Sequence, residues 1–179
     1  MKKLVLATAV AVFGVVGLQA QSTGFEAGVH VGIPVGDVSD ASNFNIGLDV
    51  AYLYPVAQNF RLGLASGYDH FVGKDNVDDF GFIPLAASAK FTPTQNFFVG
   101  ADLGYAFATN DGMDGGFYYQ PKVGYSGALV DVYGFYKGVS GTNKYEVLGV
   151  EYKNDWNIGS VGLGVAYKLS LIHISEPTR

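Results

Sequence analysis

Apolar side chains recur at every second residue along most of the chain, and no segment shows helical spacing. In 44–54, Phe, Ile, Leu, Val and Tyr alternate with Asn, Gly, Asp and Ala, and 60–70 and 97–108 repeat this pattern. A period of two places successive side chains on opposite faces of a strand. The chain is therefore predicted to fold as a β-protein in which each strand has one apolar and one mixed face.

Eight segments share this alternation, and the connections between them are long and short in turn. The first connection, 34–43, is long, the second, 55–59, is short, and the last, Ser140–Ile158, is the longest. Short turns at one end and long loops at the other are typical of membrane barrels with periplasmic turns and outer loops. We predict an all-β, eight-stranded, antiparallel, up-and-down transmembrane β-barrel. The predicted strands are 24–33, 44–54, 60–70, 80–91, 97–108, 117–125, 128–139 and 159–168.

The segment Lys144–Lys153 also alternates and could form a further strand. Nine strands would leave the C-terminus of the chain on the outer side of the membrane, and single-chain bacterial barrels have even counts. We therefore interpret this segment as an extension of the last outer hairpin. A truncated ten-stranded barrel is the alternative.

The two ends of the chain differ from the strands. Residues 1–20 have the basic start, apolar run and small final residue of a cleaved secretory signal peptide. The tail 169–179 contains neither glycine nor an aromatic residue, and it resembles the translation of a transposase sequencing adapter. We expect three parts: a signal peptide over 1–20, a barrel domain over 21–168 and a non-native tail over 169–179.

The apolar face is graded along each strand, with aromatic residues near both ends and aliphatic ones between them. Two aromatic girdles around an aliphatic belt fit a bilayer with wet interfaces. The other face carries Gly, Ala, Ser and single charges, which suits the crowded interior of a small barrel. A secreted β-sandwich with an aromatic core is the competing interpretation. If the girdles face lipid, Leu48, Leu64, Leu103 and Leu163 point outward.

Three segments carry a resemblance to a known family. Phe98–Tyr105, Gly116–Tyr125 and Gly162–Lys168 are similar to strands of the small outer-membrane β-barrels, the OmpA/OmpX-like "porin family". The resemblance implies the outer membrane of a Gram-negative bacterium as the location. It also implies contact with outer-membrane lipid and lipopolysaccharide, folding by the barrel-assembly machinery and a monomeric state.

Charged residues divide by their predicted location. The loops carry ten acids and three bases, whereas the mixed strand face carries five of each. Unpaired buried charges are costly, so the balanced set is predicted to pair inside and plug the lumen. From assumed turn lengths, we expect Lys122 to lie between Asp102 and Asp131. The predicted luminal charges are Glu26, Asp49, Arg61, Asp69, Lys90, Asp102, Lys122, Asp131, Lys137 and Lys168.

The sequence offers little for catalysis or cofactors. His30 has only glycine beside it on its face, and His70 lies too far along its strand from Ser66 for a hydrogen bond. We therefore expect neither an enzyme nor a bound cofactor, and the net charge of −5 argues against nucleic acid as a partner. The loop acids lack the spacing of a calcium loop and are only weak metal candidates. They are Asp75, Asp78, Asp79, Asp111 and Asp114.

These observations favour a structural or interaction protein with a plugged, charged lumen and acidic outer loops. Its role would be membrane integrity, adhesion or surface binding. A passive channel for small solutes is the alternative and requires a water path past the luminal charges. A lipid-modifying enzyme is a third hypothesis, which requires His70 to meet both a serine and a carboxylate.

Overall fold

The computed structural model describes residues 24–74, 78–110, 115–147 and 150–169, with backbone alone for 143–147 and 150–154. The predicted signal peptide and residues 170–179 of the predicted tail lie outside the described residues. Within the described part, no helix is long and apolar enough to cross a membrane.

Eight antiparallel strands close into a barrel, as the alternation predicted. Each strand pairs with its neighbours in the sequence, and the first pairs with the last, so the barrel closes with eight strands and not ten. The strands are β1 (Gly24–Gly36), β2 (Ser42–Ala57), β3 (Phe60–Gly73), β4 (Phe80–Thr94), β5 (Phe97–Ala108), β6 (Gly116–Ser126), β7 (Val130–Val147) and β8 (Val150–Leu169).

Several strands run further toward the long loops than their apolar alternation indicated. The largest extension is in the last hairpin, where β7 and β8 stay paired as far as Val147 and Val150. Lys144 lies opposite Lys153 in this ladder, so the segment between them extends the last outer hairpin as predicted. Backbone pairing continues there because hydrogen bonds between two strands do not depend on an apolar face.

The apolar face of the sheet lies on the outside of the barrel. The four leucines used as markers are exposed by 56% (Leu48), 57% (Leu64), 54% (Leu103) and 65% (Leu163), which confirms the outward prediction. Exposed positions alternate with buried ones along β4 and β6. The barrel thus has the opposite arrangement to a soluble domain, with its apolar surface outside and its polar residues inside.

Two kinds of side-chain packing fill the lumen, one apolar and one charged. Near the long loops lies an apolar cluster, here called the loop-end plug, and the rest of the lumen contains charged groups. Glycines on the inner wall make room for large inward side chains: a Cβ on Gly47 would lie 2.6 Å from the His30 ring, and one on Gly164 would lie 2.4 Å from the Tyr133 ring. The loop-end plug consists of Val38, Phe71, Phe80, Phe82, Ala86, Ala106, Tyr118 and Val139.

Candidate functional site

The candidate site is the charged part of the lumen. All ten charged side chains that alternation assigned to the inner face project into it, and each takes part in an ion pair. They form two clusters and one separate pair, Lys122 with Asp102. The His30 cluster contains His30, Asp49, Asp69 and Lys137, and the turn-end cluster contains Glu26, Arg61, Lys90, Asp131 and Lys168.

His30 lies at the centre of the first cluster, between two carboxylates. Its Nδ1 is 2.8 Å from Asp49 Oδ2, and its Nε2 is 2.8 Å from Asp69 Oδ1. Lys137 Nζ donates to Asp69 Oδ1 at 2.6 Å and lies 3.0 Å from His30 Nε2. When His30 is protonated, the cluster has two cations and two anions, so its buried charges balance.

The register of the first three strands explains how His30 reaches a strand that is not its neighbour. His30 lies opposite Gly47, and Gly47 lies opposite Asp69 on the next strand. Because Gly47 has no side chain, the imidazole crosses over β2 and meets the carboxylate on β3. Sequence reasoning missed this contact because it considered only residues on the same strand as His30.

The turn-end cluster connects five strands, β1, β3, β4, β7 and β8. Lys90 Nζ lies 2.7 Å from Glu26 Oε1 and also contacts Asp131. Lys168 pairs with the same Asp131 at 2.7 Å, and Arg61 lies 3.4 Å from Glu26. The side chains of Arg61 and Lys168 are 27% and 17% exposed, against 4% for Lys90. The cluster is therefore dry at its centre and reaches solvent at the short turns.

The predicted triad around Lys122 is correct for Asp102 and wrong for Asp131. Lys122 Nζ lies 2.6 Å from Asp102 Oδ2, and Ser88 donates to the other oxygen of this carboxylate at 2.5 Å. Directly opposite Lys122, however, are Gly100 and Phe135.

The error arose from the assumed position of the turn between β6 and β7, which was placed at Ser126 and Gly127. Asp131 faces Ser126, and the Gly127 N–H donates to the Val130 carbonyl at 2.9 Å, so the turn residues are Ala128 and Leu129. Both registers differ from the prediction by an even number of residues. An even shift keeps every side chain on its own face of the sheet. The charged residues of these strands therefore point inward as predicted, although the residues opposite Lys122 are not the predicted ones.

The only histidine on the outer face, among the described residues, also has partners. His70 lies 3.3 Å from the Tyr68 hydroxyl through Nδ1 and 3.1 Å from Asp79 Oδ2 through Nε2. The backbone N–H of Gly73 also donates to Asp79, and these two hydrogen bonds hold the pKa of this loop carboxyl below its ordinary value. Ser66 instead donates to the Pro84 carbonyl. A lipid-modifying enzyme would require His70 to contact both a serine and a carboxylate. His70 contacts the carboxylate of Asp79, but Ser66 bonds elsewhere.

The weak metal candidates receive no support from the described part of the chain. Asp75, Asp111 and Asp114 lie outside the described residues. Asp78 and Asp79 are described, and no group of three or more His, Cys, Asp or Glu side chains within the described residues could hold a metal ion.

No protein-family model matches this chain, and no curated protein matches its sequence. Solved structures do match its fold. The attachment invasion locus protein Ail of Yersinia pestis superposes with a TM-score of 0.51 at 13% identity, covering 84% of this chain and 100% of Ail. A protein from the de novo design of transmembrane β-barrels superposes with a TM-score of 0.50 at 14% identity, again covering 84% of this chain and 100% of the other. The chain therefore shares its closed eight-stranded barrel with small transmembrane barrels.

Proposed function

We propose that this chain spans the bacterial outer membrane as a closed barrel, supports membrane integrity and makes surface contacts through acidic loops. The observation that carries the proposal is the reversed polarity of the barrel. Its outer wall exposes large apolar side chains, whereas its ion pairs are buried inside. In water, such a wall would be a strong aggregation hazard, but in a bilayer it is solvated by the lipid chains.

The outer wall also has the graded composition of a membrane-facing surface. Tyr54, Phe97 and Tyr125 near the short turns and Phe107 and Phe117 near the long loops are exposed by 44–57%. Aromatic rings favour the two interfaces of a bilayer, where one edge is apolar and the other wet. Outer-membrane lipid and lipopolysaccharide are the partners we propose for this wall, with insertion by the barrel-assembly machinery and a monomeric state.

The filled lumen favours a structural role over a passive channel. At the turn end, Lys90 and Asp131 are 3% and 1% exposed, and at the loop end Phe82 is fully buried. An eight-stranded barrel is just wide enough for its own side chains. The cavity left in the lumen measures about 40 Å³, which admits a few water molecules but no larger solute.

Surface contact is proposed from the charge of the loop end. The described loop acids greatly outnumber the bases there, and Asp79 is 51% exposed. A one-signed patch attracts a partner of opposite charge and speeds its association. We therefore propose a cationic surface as the contact partner. The described acids at this end are Asp37, Asp40, Asp78, Asp79 and Asp155.

Fractionation and planar-bilayer recording test the location and the closed state. We expect the expressed full chain in the outer-membrane fraction and, after reconstitution of the purified barrel, no stepwise conductance. Recovery in a soluble fraction would contradict the membrane assignment. Regular conductance steps would instead favour the passive channel.

The contact role is tested separately with purified barrel in nanodiscs on a poly-lysine-coated sensor. A variant with all five described acids changed to Asn is expected to bind more weakly, and the difference should disappear at high salt. The matched control changes the same five residues to Glu and keeps the charge. Equal binding by the Asn and Glu variants would overturn the contact role without affecting the membrane assignment.

A further inference from the structure

A small cavity lined by both apolar and polar side chains lies in the lumen between the His30 cluster and the turn-end cluster. Its volume is about 40 Å³, and its wall includes Asp49, Asp102, Gln120, Lys122 and Tyr133. Gln120 is 1% exposed, and its Nε2 has no hydrogen-bond partner among the described protein atoms. A buried amide donor without a partner is costly, so this group points to a ligand in the cavity.

Gln120 is oriented by its other side-chain atom. Its Oε1 accepts a hydrogen bond from the Tyr118 hydroxyl at 2.7 Å, which leaves Nε2 to donate into the cavity. The ligand must therefore accept a hydrogen bond from the Gln120 amide, and it can donate to the carboxylates of Asp49 and Asp102, which line the same cavity. A water molecule does both, and it needs only about 10–15 Å³ of such space. The cavity thus has room for about three water molecules.

The cavity connects polar groups above and below it. Toward the loops, the Tyr133 hydroxyl donates to Asp49 at 2.7 Å, and Asp49 contacts His30 at 2.8 Å. Toward the turns, Glu26 and Lys90 line the cavity and also belong to the turn-end cluster. That cluster reaches solvent through Arg61 and Lys168. Water in the cavity would therefore complete a hydrogen-bonded column from the short turns to His30.

The loop-end plug lies beyond this column. The rings of Phe71 and Phe80 stack with centroids 5.0 Å apart and planes inclined by 3°, and the Phe82 ring meets both edge-on. Tyr118 marks the boundary, because its ring packs in the plug while its hydroxyl binds Gln120. Hydrophobic constrictions of this kind close a pore by excluding water.

We propose that the cavity beside Gln120 binds water, and that the resulting column passes protons from the turn end as far as the loop-end plug. The plug is then the dry barrier that keeps the column from crossing the membrane. A proton moves by displacing the next one along hydrogen-bonded waters and side chains, so the column needs no bore wide enough for ions. With the plug intact, the displaced proton has no exit at the loop end and returns to the turn end, and only an opened plug allows one proton to leave for each that enters. This property goes beyond the structural and contact roles proposed above.

The role of the loop-end plug as a proton barrier is tested with the protein reconstituted into liposomes that contain a pH-sensitive dye. We expect the Phe71→Ser, Phe82→Ser double variant to dissipate a pH gradient about tenfold faster than the unaltered protein, because water enters a polar constriction. Potassium flux should stay unchanged. The matched control, Phe91→Ser with Phe107→Ser, alters two rings on the outer wall that are 42% and 52% exposed. A folded plug variant that leaks no faster than this control would overturn the proposal, as would potassium passing with the protons.

The water site is tested first in the unaltered protein and then in a variant. In nanodiscs, the side-chain amide protons of Gln120 should show NMR cross-relaxation with water, whereas the backbone amide of Phe82 in the plug should not. Gln120→Leu in the plug double variant should bring the proton leak back toward that of the unaltered protein. A Gln120 amide without water contact would overturn the site.

Discussion

The two ends of the lumen are filled in different ways. At the loop end, Phe71, Phe80 and Phe82 pack ring against ring. At the turn end, the interior is held by ion pairs such as those of Lys90 with Glu26 and Asp131. An apolar filling needs only the right volume and shape, whereas a buried charge needs its particular partner. The turn end should therefore tolerate substitution less well, and it should fix the strand register more strictly.

Removal of a buried cation should have the largest effect. Lys90→Met leaves Glu26 and Asp131 without their shared ammonium, and losing one member of a buried ion pair costs about 3–5 kcal/mol. The free energy of unfolding, measured by urea titration in detergent micelles, should fall by this amount. Lys74→Met is the control, because this lysine lies in a loop and its side chain donates only to the Ser39 carbonyl among the contacts described for it. A loss as small as that of the control would mean that the turn end does not depend on its charges.

A double-mutant cycle sharpens the assignment of partners inside the charged region. Lys122→Met and Asp102→Asn should be coupled by about 1–3 kcal/mol in the free energy of unfolding, because the two groups are in contact. Lys122→Met and Asp131→Asn should be additive within about 0.5 kcal/mol. The opposite result would restore the register predicted from a turn at Ser126 and Gly127.

A conservative change in the plug should cost less. Phe82→Leu keeps an apolar side chain in a site that is fully buried and reduces its volume only in part. We expect a loss of about 1 kcal/mol in the same unfolding titration, since apolar exchanges of similar size are usually tolerated. A loss equal to that of Lys90→Met would remove the proposed difference between the two ends.

The smallest effect is expected for a charge contact in the loops. The pKa of Asp79 lies below its ordinary value because the Gly73 N–H and His70 stabilise the carboxylate. A lowered carboxyl pKa adds stability above the ordinary value of about 3.8, and this is lost as the pH falls through the folded value. In an NMR titration, His70→Gln should raise the pKa of Asp79 only part of the way, because the backbone donor remains. A complete return to the ordinary value would show that Gly73 contributes nothing.

The side of the sheet on which each residue lies could be predicted from the sequence, but its partner could not. Alternation alone placed Leu103 outside and Asp102 inside, because side-chain direction depends only on parity. The partner of Lys122 depended on the position of the turn between β6 and β7, and the sequence did not distinguish a turn at 126–127 from the one at 128–129 that the structure has.

Contacts across the lumen were beyond sequence reasoning for a further reason. Lys137 on β7 meets Asp69 on β3, far away in sequence and on a strand that is not its neighbour. Such a contact depends on the stagger of all eight strands when the barrel closes. The loop-end plug was missed similarly, since Phe71 fell in the predicted connection after the third strand and its contact with Phe82 forms only in the closed barrel.

The central claim is that the leucine-bearing outer wall faces lipid while the lumen does not. Methyl-labelled leucines in nanodiscs test it directly, by NMR cross-relaxation with lipid acyl chains. We predict strong acyl-chain contacts for Leu48, Leu64, Leu103 and Leu163, and none for Leu53, which is inward and 2% exposed. Acyl-chain contact at Leu53, or water contact at the four outer leucines, would contradict the account.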